Sequence, residues 1–239
     1  MTKRIHCEWG RYGAMQSRDF DVAILVDVLS FSTAVDAAVS AGAAVYPFAW
    51  TGDRAAAIAE ATAFAQDRGA TLAQQRQDGG TLPTLSPPTL SRLNPGDRLV
   101  LPSPNGSLLT TKTSAPHIFA ACLRNYPAVA SAANALSEST IVIAAGEKWP
   151  DGSLRPALED WLGAGAVLSE LSGPFTAEAG AARRSFLNGP DVPTAVLDCI
   201  SGRELRSMGF QQDADFAVEI GVSPTVPQLT CGAYQQRNH

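Results

Sequence analysis

Apolar residues in this chain gather in short solid runs, separated by Ala-rich stretches and polar turns. The run Val22-Ala23-Ile24-Leu25-Val26, within residues 21–29, is too continuous for a strand with one wet face. It predicts a strand covered on both sides, as in a parallel sheet. The Ala-rich stretch 32–41 stops at Gly42 and predicts a helix with a C-terminal glycine. A strand at 43–49, a helix from about 53 to 68 closed by Gly69, and a short strand at 70–74 follow. Residues 75–97 hold three Gly and four Pro, so no helix of ordinary length fits there. A loop this long inside a compact domain is often functional. Alternation then resumes: a strand at 98–102, a helix through about 113, a strand at 118–123, a helix at 127–136, a strand at 140–145 and a helix at 157–172. From 174 the pattern is mainly helical, with breaks at Gly189-Pro190 and Ser201-Gly202 and a final short strand within 222–229.

At least five strands alternating with helices predict an α/β sandwich with a largely parallel sheet, one domain spanning 1–239. Composition agrees. The 239 residues are 45% hydrophobic and 17% charged, against about 25% charged in an average globular protein, so the chain is not disordered. The net charge is −5 and no polybasic stretch occurs, which argues against a nucleic-acid groove or an anionic membrane surface. No segment approaches the about 18 apolar residues of a membrane span. The opening MTKRIHCEWGRYG has no apolar h-region, so a cytoplasmic protein is expected. Cys7, Cys122, Cys199 and Cys231 lie far apart and read as reduced, mostly buried thiols. The three histidines have no zinc-ligand spacing. The absence of GxxxxGK[ST], of GxGxxG after a strand and of GxSxG disfavours an NTPase, a dinucleotide enzyme and a serine hydrolase.

Ligands of open α/β sheets sit beyond the carboxyl ends of the strands. That places Asp27, Ser30, Ser32 and Thr33 in one turn, Ser103, Asn105, Gly106 and Ser107 in a second, Arg124 and Asn125 in a third, and Gly146 and Glu147 in a fourth. Helices opening there offer free N–H groups to anions. Ser32, Thr33, Asn105 and Ser107 also read as plain helix caps, and Arg124-Asn125 as a turn before Pro127. Asp27 interrupts a buried apolar run, where an unpaired carboxylate is costly, so it is either paired or binds a metal. Glu159 and Asp160 either favour the dipole of the helix they open or bind Mg²⁺ together with Asp27. Gly163 and Gly165 weaken that helix and permit close packing; the sequence does not separate packing from function there.

These turns, in this order, resemble the 2-phosphosulfolactate phosphatase family. The resemblance rests on VAILVDVLSFSTAVDAAVSAGA, RLVLPSPNGS, LRNYPAVA, IVIAAGEKWPDGSLRPALEDWLGAGAVLSEL and the tail SGRELRSMGFQQDADFAVEIGVSPTVPQL. It implies a three-layer α/β/α sandwich with a largely parallel or mixed central sheet, and Mg²⁺-dependent hydrolysis of the phosphate ester of a small hydroxy acid. Asp27, Ser32 and Thr33 match a DVLRAST-like turn, and Asn105 and Gly106 match NGT with Ser107 in place of Thr. Arg124 and Asn125 match an RN pair, Gly146 an AG turn, and Glu159 and Asp160 an ED pair. The resemblance therefore implies catalysis by Asp27, Asp160 and Arg124. It implies substrate binding by Ser30, Ser32, Thr33, Asn105, Gly106, Ser107, Asn125 and Gly146, and Mg²⁺ on Asp27, Glu159 and Asp160. The expected partner is a small phosphorylated organic acid, with no nucleic acid and no membrane, and self-association is compatible with it. Two departures stand out. Ser30 occupies a position where the family carries Arg, with Phe31 beside it in place of a small residue; a Ser cannot replace a bidentate guanidinium. Of a GERxxxxxxGFxxGNSP-like segment, only Arg76 and Ser86-Pro87 remain. These losses support an alternative: a member that has lost catalysis and binds a small anion as a sensor or interaction module.

Overall fold

A computed structural model describes residues 4–49, 54–77, 82–137, 139–189 and 191–237. In chain order its elements are β1 (Ile5–Trp9), α1 (Gly10–Gln16), β2 (Val22–Val26), α2 (Phe31–Ser40), β3 (Ala44–Ala49), α3 (Arg54–Asp67), β4 (Thr71–Leu72), α4 (Pro87–Leu90), β5 (Arg98–Ser103), α5 (Gly106–Lys112), β6 (His117–Ala121), α6 (Tyr126–Asn134), β7 (Thr140–Ala144), β8 (Glu147–Lys148), β9 (Leu154–Arg155), α7 (Leu158–Glu170), α8 (Ala177–Leu187), α9 (Val192–Asp198), α10 (Ile200–Ser207), α11 (Gln211–Ala217), β10 (Pro227–Thr230) and β11 (Ala233–Gln236). Residue 53, where the sequence pattern starts its second helix, and Pro190 of the expected break lie outside the described residues.

The large sheet has nine strands in the order β1-β7-β2-β6-β10-β11-β3-β5-β4. Strands β1, β7, β2 and β6 run parallel, as do β3, β5 and β4. The C-terminal hairpin β10–β11 lies between these two parallel blocks and pairs antiparallel with both, at Gln228↔Phe119 and Tyr234↔Val45. The strand expected near 222–229 is therefore half of a hairpin at the sheet's centre. Its two-residue turn has positive φ at both Cys231 (51°) and Gly232 (81°), which gives the twist that hairpins favour. Residues Ile5–Trp9, where the sequence pattern assigns no element, form β1 and pair with β7 from Ile5↔Thr140 to Trp9↔Ala144.

The solid run of β2 is buried on both faces, as its pattern demands. Val22, Ile24 and Val26 face α6, α7, α8 and the C-terminal helices. Ala23 and Leu25 face α1, α2 and α5. The result is a three-layer α/β/α sandwich with a mixed sheet. Helix α7 comes unusually close to its neighbours because it is Gly-rich. A Cβ on Gly163 would stand 2.5 Å from Val28 Cγ2 and 2.8 Å from Val26 Cγ1, and one on Gly165 would stand 2.3 Å from the Ala182 carbonyl oxygen. Packing accounts for both glycines, and it brings the first turn of α7 against the end of β2.

Gly163→Ala is accordingly expected to destabilise the fold by about 1–3 kcal/mol through overpacking, despite the better helix propensity of Ala. Urea denaturation checks this; a gain in stability would mean that α7 and β2 can separate freely.

Candidate active site

Sequence position brings Asp27 to the first residue beyond β2, Gly146 and Glu147 to the end of β7, and Glu159 and Asp160 to the opening turn of α7. These three chain segments meet at a cavity of about 260 Å³ lined by Asp27, Ser30, Arg76, Glu147, Glu159 and Asp160, with Ser201, Glu204 and Met208 from the α10 side.

Asp160 fixes this meeting point. Its Oδ1 accepts the Val28 N–H and its Oδ2 the Gly146 N–H, both at 2.8 Å. One buried carboxylate thus ties the ends of β2 and β7 to α7. Gly146 has φ +69°, and a Cβ there would meet Leu154 Cδ1 at 2.7 Å, so the turn that supplies this N–H requires glycine. Glu159 is buried beside it, and its Oε2 accepts the Cys199 thiol at 3.1 Å. Asp27 is bound on one side only. Its Oδ1 accepts the Phe31 N–H at 3.1 Å, while Oδ2 accepts no hydrogen bond from the described residues. Burial, and then the charge of Glu147, push the Asp27 carboxyl up to about 7. Asp160 is raised well above the usual carboxylate range by burial and by the charges of Asp27 and Glu159.

Other expected residues serve the walls. Ser32 Oγ donates to the Leu25 carbonyl and accepts the Asp27 N–H, each at 3.1 Å, and Thr33 Oγ1 donates to the Val28 carbonyl at 2.5 Å. Both hydroxyls are turned back onto the turn they stabilise. Ser107 Oγ does the same with the Leu101 carbonyl at 2.8 Å. Asn125 is fully buried, with its Oδ1 accepting the Cys122 N–H at 2.8 Å. Gly106 lies under Phe31, whose Cβ and Cγ would be 2.3 Å from a Cβ at that position. Asn105 Nδ2 donates to Glu147 Oε1 at 3.0 Å and stands in the wall of a second cavity, about 490 Å³, that Glu147 also lines. Arg124 is not among the residues that line the acidic cavity. Its Nε donates to Asp36 Oδ2 at 3.0 Å, its Nη1 pairs with Glu219, and its guanidinium stacks 3.7 Å from the centre of the Phe216 ring. The cation that does line the cavity is Arg76, from the long irregular segment.

The family model described as 2-phosphosulpholactate phosphatase matches residues 12–232. The chain belongs to this family. It is 29% identical over 208 residues to the 2-phosphosulfolactate phosphatase of Methanothermobacter thermautotrophicus, covering 86% of this chain and 85% of the relative. It is 27% identical over 202 residues to the 2-phosphosulfolactate phosphatase of Methanocaldococcus jannaschii, covering 83% and 84%. The departures from the family's pattern now have positions. Phe31 is fully buried and packs edge-on against Tyr234, ring centres 5.8 Å apart, so it points into the core and leaves the cavity open. Ser30 lines the cavity, as does Arg76.

The two aspartates are expected to behave differently. In Asp160→Asn, an amide nitrogen without a free lone pair faces one of the two N–H groups, so the variant should lose about 1–3 kcal/mol in metal-free urea denaturation. A change below about 0.5 kcal/mol would show the clamp to be dispensable. For Asp27, the folded state holds its proton from the ordinary 3.8 up to about 7, whereas the unfolded state releases it near the ordinary value. The folded form therefore binds more protons in this window, and metal-free stability falls as pH rises from about 4 to about 7, on the order of 2–4 kcal/mol from this group. Asp160 acts in the same sense, so Asp27→Asn should flatten this slope without abolishing it. An unchanged slope in denaturation measured across pH in EDTA would refute the assignment.

Proposed function

We propose that this chain is a phosphatase that hydrolyses the phosphate monoester of a small hydroxy acid, 2-phosphosulfolactate or a related 2-phospho-hydroxy acid, with Mg²⁺ as cofactor. The observation that carries this reading is the acidic cavity at the strand ends, where, among the described residues, Asp27 keeps an Oδ2 without a hydrogen bond and Glu147, Glu159 and one guanidinium line the same cavity, in a chain of this phosphatase family.

The donor chemistry fits a hard divalent cation, which takes carboxylate oxygens and keeps water and substrate oxygens in the rest of its shell. The charge crowding that raises Asp27 is what a bound cation would relieve. Among the described residues no three His, Cys, Asp or Glu side chains are already grouped as a metal cage, so the protein would supply only part of the shell. Asp27 Oδ2, Glu159 and Glu147 would hold the cation. Asp160, with both oxygens on backbone N–H groups, fixes the turns that carry them. When bound, Mg²⁺ supplies charge stabilisation at the phosphoryl oxygens and a bound water of lowered pKa.

The chain's own groups divide the remaining work. Arg76 offers a guanidinium to the anionic substrate, where charge in a desolvated site is worth most. Ser30 adds a hydroxyl at the opening of α2. Asn105 holds Glu147 at the cavity wall through Oε1. The structure has no helix among its described residues long and apolar enough to cross a membrane.

The test is phosphate release from 2-phosphosulfolactate and other 2-phospho-hydroxy acids, with Mg²⁺ or with EDTA. Release that needs Mg²⁺, and that falls by at least about a hundredfold in Asp27→Asn, is expected. Binding of these anions without turnover would replace the phosphatase reading with that of an anion sensor; neither binding nor turnover would overturn both.

A further inference from the structure

The cavity is lined by Asp27, Glu147, Glu159, Asp160 and Glu204, and Arg76 alone is cationic among the described residues lining it. A flexible guanidinium beside so many carboxylates would be expected to swing onto one of them and fill the space a substrate needs. It does not. Arg76 forms its ion pair with a carboxylate that is not among the cavity's lining residues, its Nε 2.7 Å from Asp213 Oδ2, and its Nη2 donates to the Leu29 carbonyl at 3.1 Å. Nη1 has no hydrogen bond to the described residues.

Asp213 is well placed to win this competition. It lies in the first turn of α11 and is only 4% exposed. Its second oxygen, Oδ1, accepts the Ser86 hydroxyl at 2.5 Å, so the carboxylate cannot rotate away from Arg76 without breaking that bond. Ser86 precedes α4, a short helix that packs beside α2 and α11. One buried carboxylate therefore holds both Arg76 and Ser86 of the irregular segment. Charge also couples the two sites: Arg76 opposes the rise of the Asp27 carboxyl.

We infer that Asp213, steadied by Ser86, is a positioning residue of the active site: it draws Arg76 away from the cavity carboxylates and leaves the Nη1 edge of the guanidinium to receive an anionic group of the substrate. The inference rests on the phosphatase reading for its substrate, but the hold on an anion is measurable without turnover. A merely structural ion pair would tie the irregular segment to α11 whether or not Arg76 served the cavity, and its loss would lower stability without acting through Arg76.

A double-mutant cycle separates the two roles. The variants are Asp213→Asn, Arg76→Ala and their combination. The readouts are KM and kcat for 2-phosphosulfolactate with Mg²⁺, and the dissociation constant of inorganic phosphate by calorimetry. Asp213→Asn keeps the shape and loses the charge. It is expected to raise KM and the phosphate dissociation constant about tenfold, with kcat changed less than about threefold. Arg76→Ala should raise both at least as much, and the double variant should match Arg76→Ala. Unchanged KM and phosphate affinity in folded Asp213→Asn, or effects that multiply in the double variant, would overturn the inference. Should Asp213→Asn not fold, Ser86→Ala releases the other carboxylate oxygen and keeps the ion pair. A rise of about threefold in KM that vanishes in the Arg76→Ala background supports the inference; a rise that persists there, or no rise, refutes it. If the wild type hydrolyses none of the phosphate esters, the phosphatase reading fails. Equal weakening of phosphate binding in Asp213→Asn and Arg76→Ala would still sustain the role of Asp213.

Discussion

Two buried backbone N–H groups stand at the ends of two strands, and a single carboxylate satisfies both. Asp160 accepts from Val28 and from Gly146 at equal distance, and much of the site depends on it. Unmet, each N–H would cost roughly 1–3 kcal/mol in such a place. Met, they fix where Asp27 leaves β2 and where Glu147 leaves β7. The close approach of α7 that makes the bond reachable is itself set by Gly163 against Val26 and Val28. Backbone, helix and sheet are thus registered to one another by a contact spanning 132 residues of sequence.

The same closeness creates the site's electrostatic tension. Carboxylates that a folded core would normally keep apart are gathered beside one guanidinium, and burial leaves little water to screen them. The protein does not neutralise them all internally. Asp160 is stabilised by two N–H groups and Asp27 by one, and Asp27, which lines the cavity, keeps one oxygen without a hydrogen bond from the described residues. Such incomplete satisfaction disfavours the isolated fold and suits a ligand that brings positive charge, since perturbed groups of this kind concentrate at functional sites. Arg124 shows the opposite arrangement. It is matched by Asp36, Glu219 and the Phe216 ring, and that full complement makes it a fastening between α2, β6 and the C-terminal segment.

The sheet and the acidic turn were legible because their signals are local. A doubly buried strand shows as an unbroken apolar run, and Asp27 shows as the charge that ends it. Glu159 and Asp160 could be placed because a helix opening is readable. Arg76 and Asp213 are harder, since 137 residues separate them and Arg76 lies outside any helix or strand. The position of Arg124 after a strand resembles a ligand turn, and only its partners show where the guanidinium goes. The signal was present in Asp36, an acidic residue amid the apolar face of an Ala-rich helix, which demands a cation once the helix is buried on all sides. The central placement of β10–β11 was not legible: a short strand near a chain end says nothing about which edges it will join.

Where the chain keeps the family's pattern, most of the retained side chains act on the backbone. Ser32, Thr33, Ser107 and Asn125 close turns, Gly146 supplies an N–H, and Asp160 receives it. Where the chain departs at Ser30, the side chain faces the cavity, beside the retained Arg76. The two sets answer to different demands. Turn-closing groups are constrained by hydrogen bonds whose loss is felt in every molecule that folds, so they tolerate little change. A group facing an open cavity is constrained only by what binds there. The retained motifs therefore speak first for the scaffold and the placement of its carboxylates. On the proposed phosphatase reading, Ser30 and Arg76 are the positions lining the cavity where an exchange would alter which anion is held without disturbing the turns that hold Asp27.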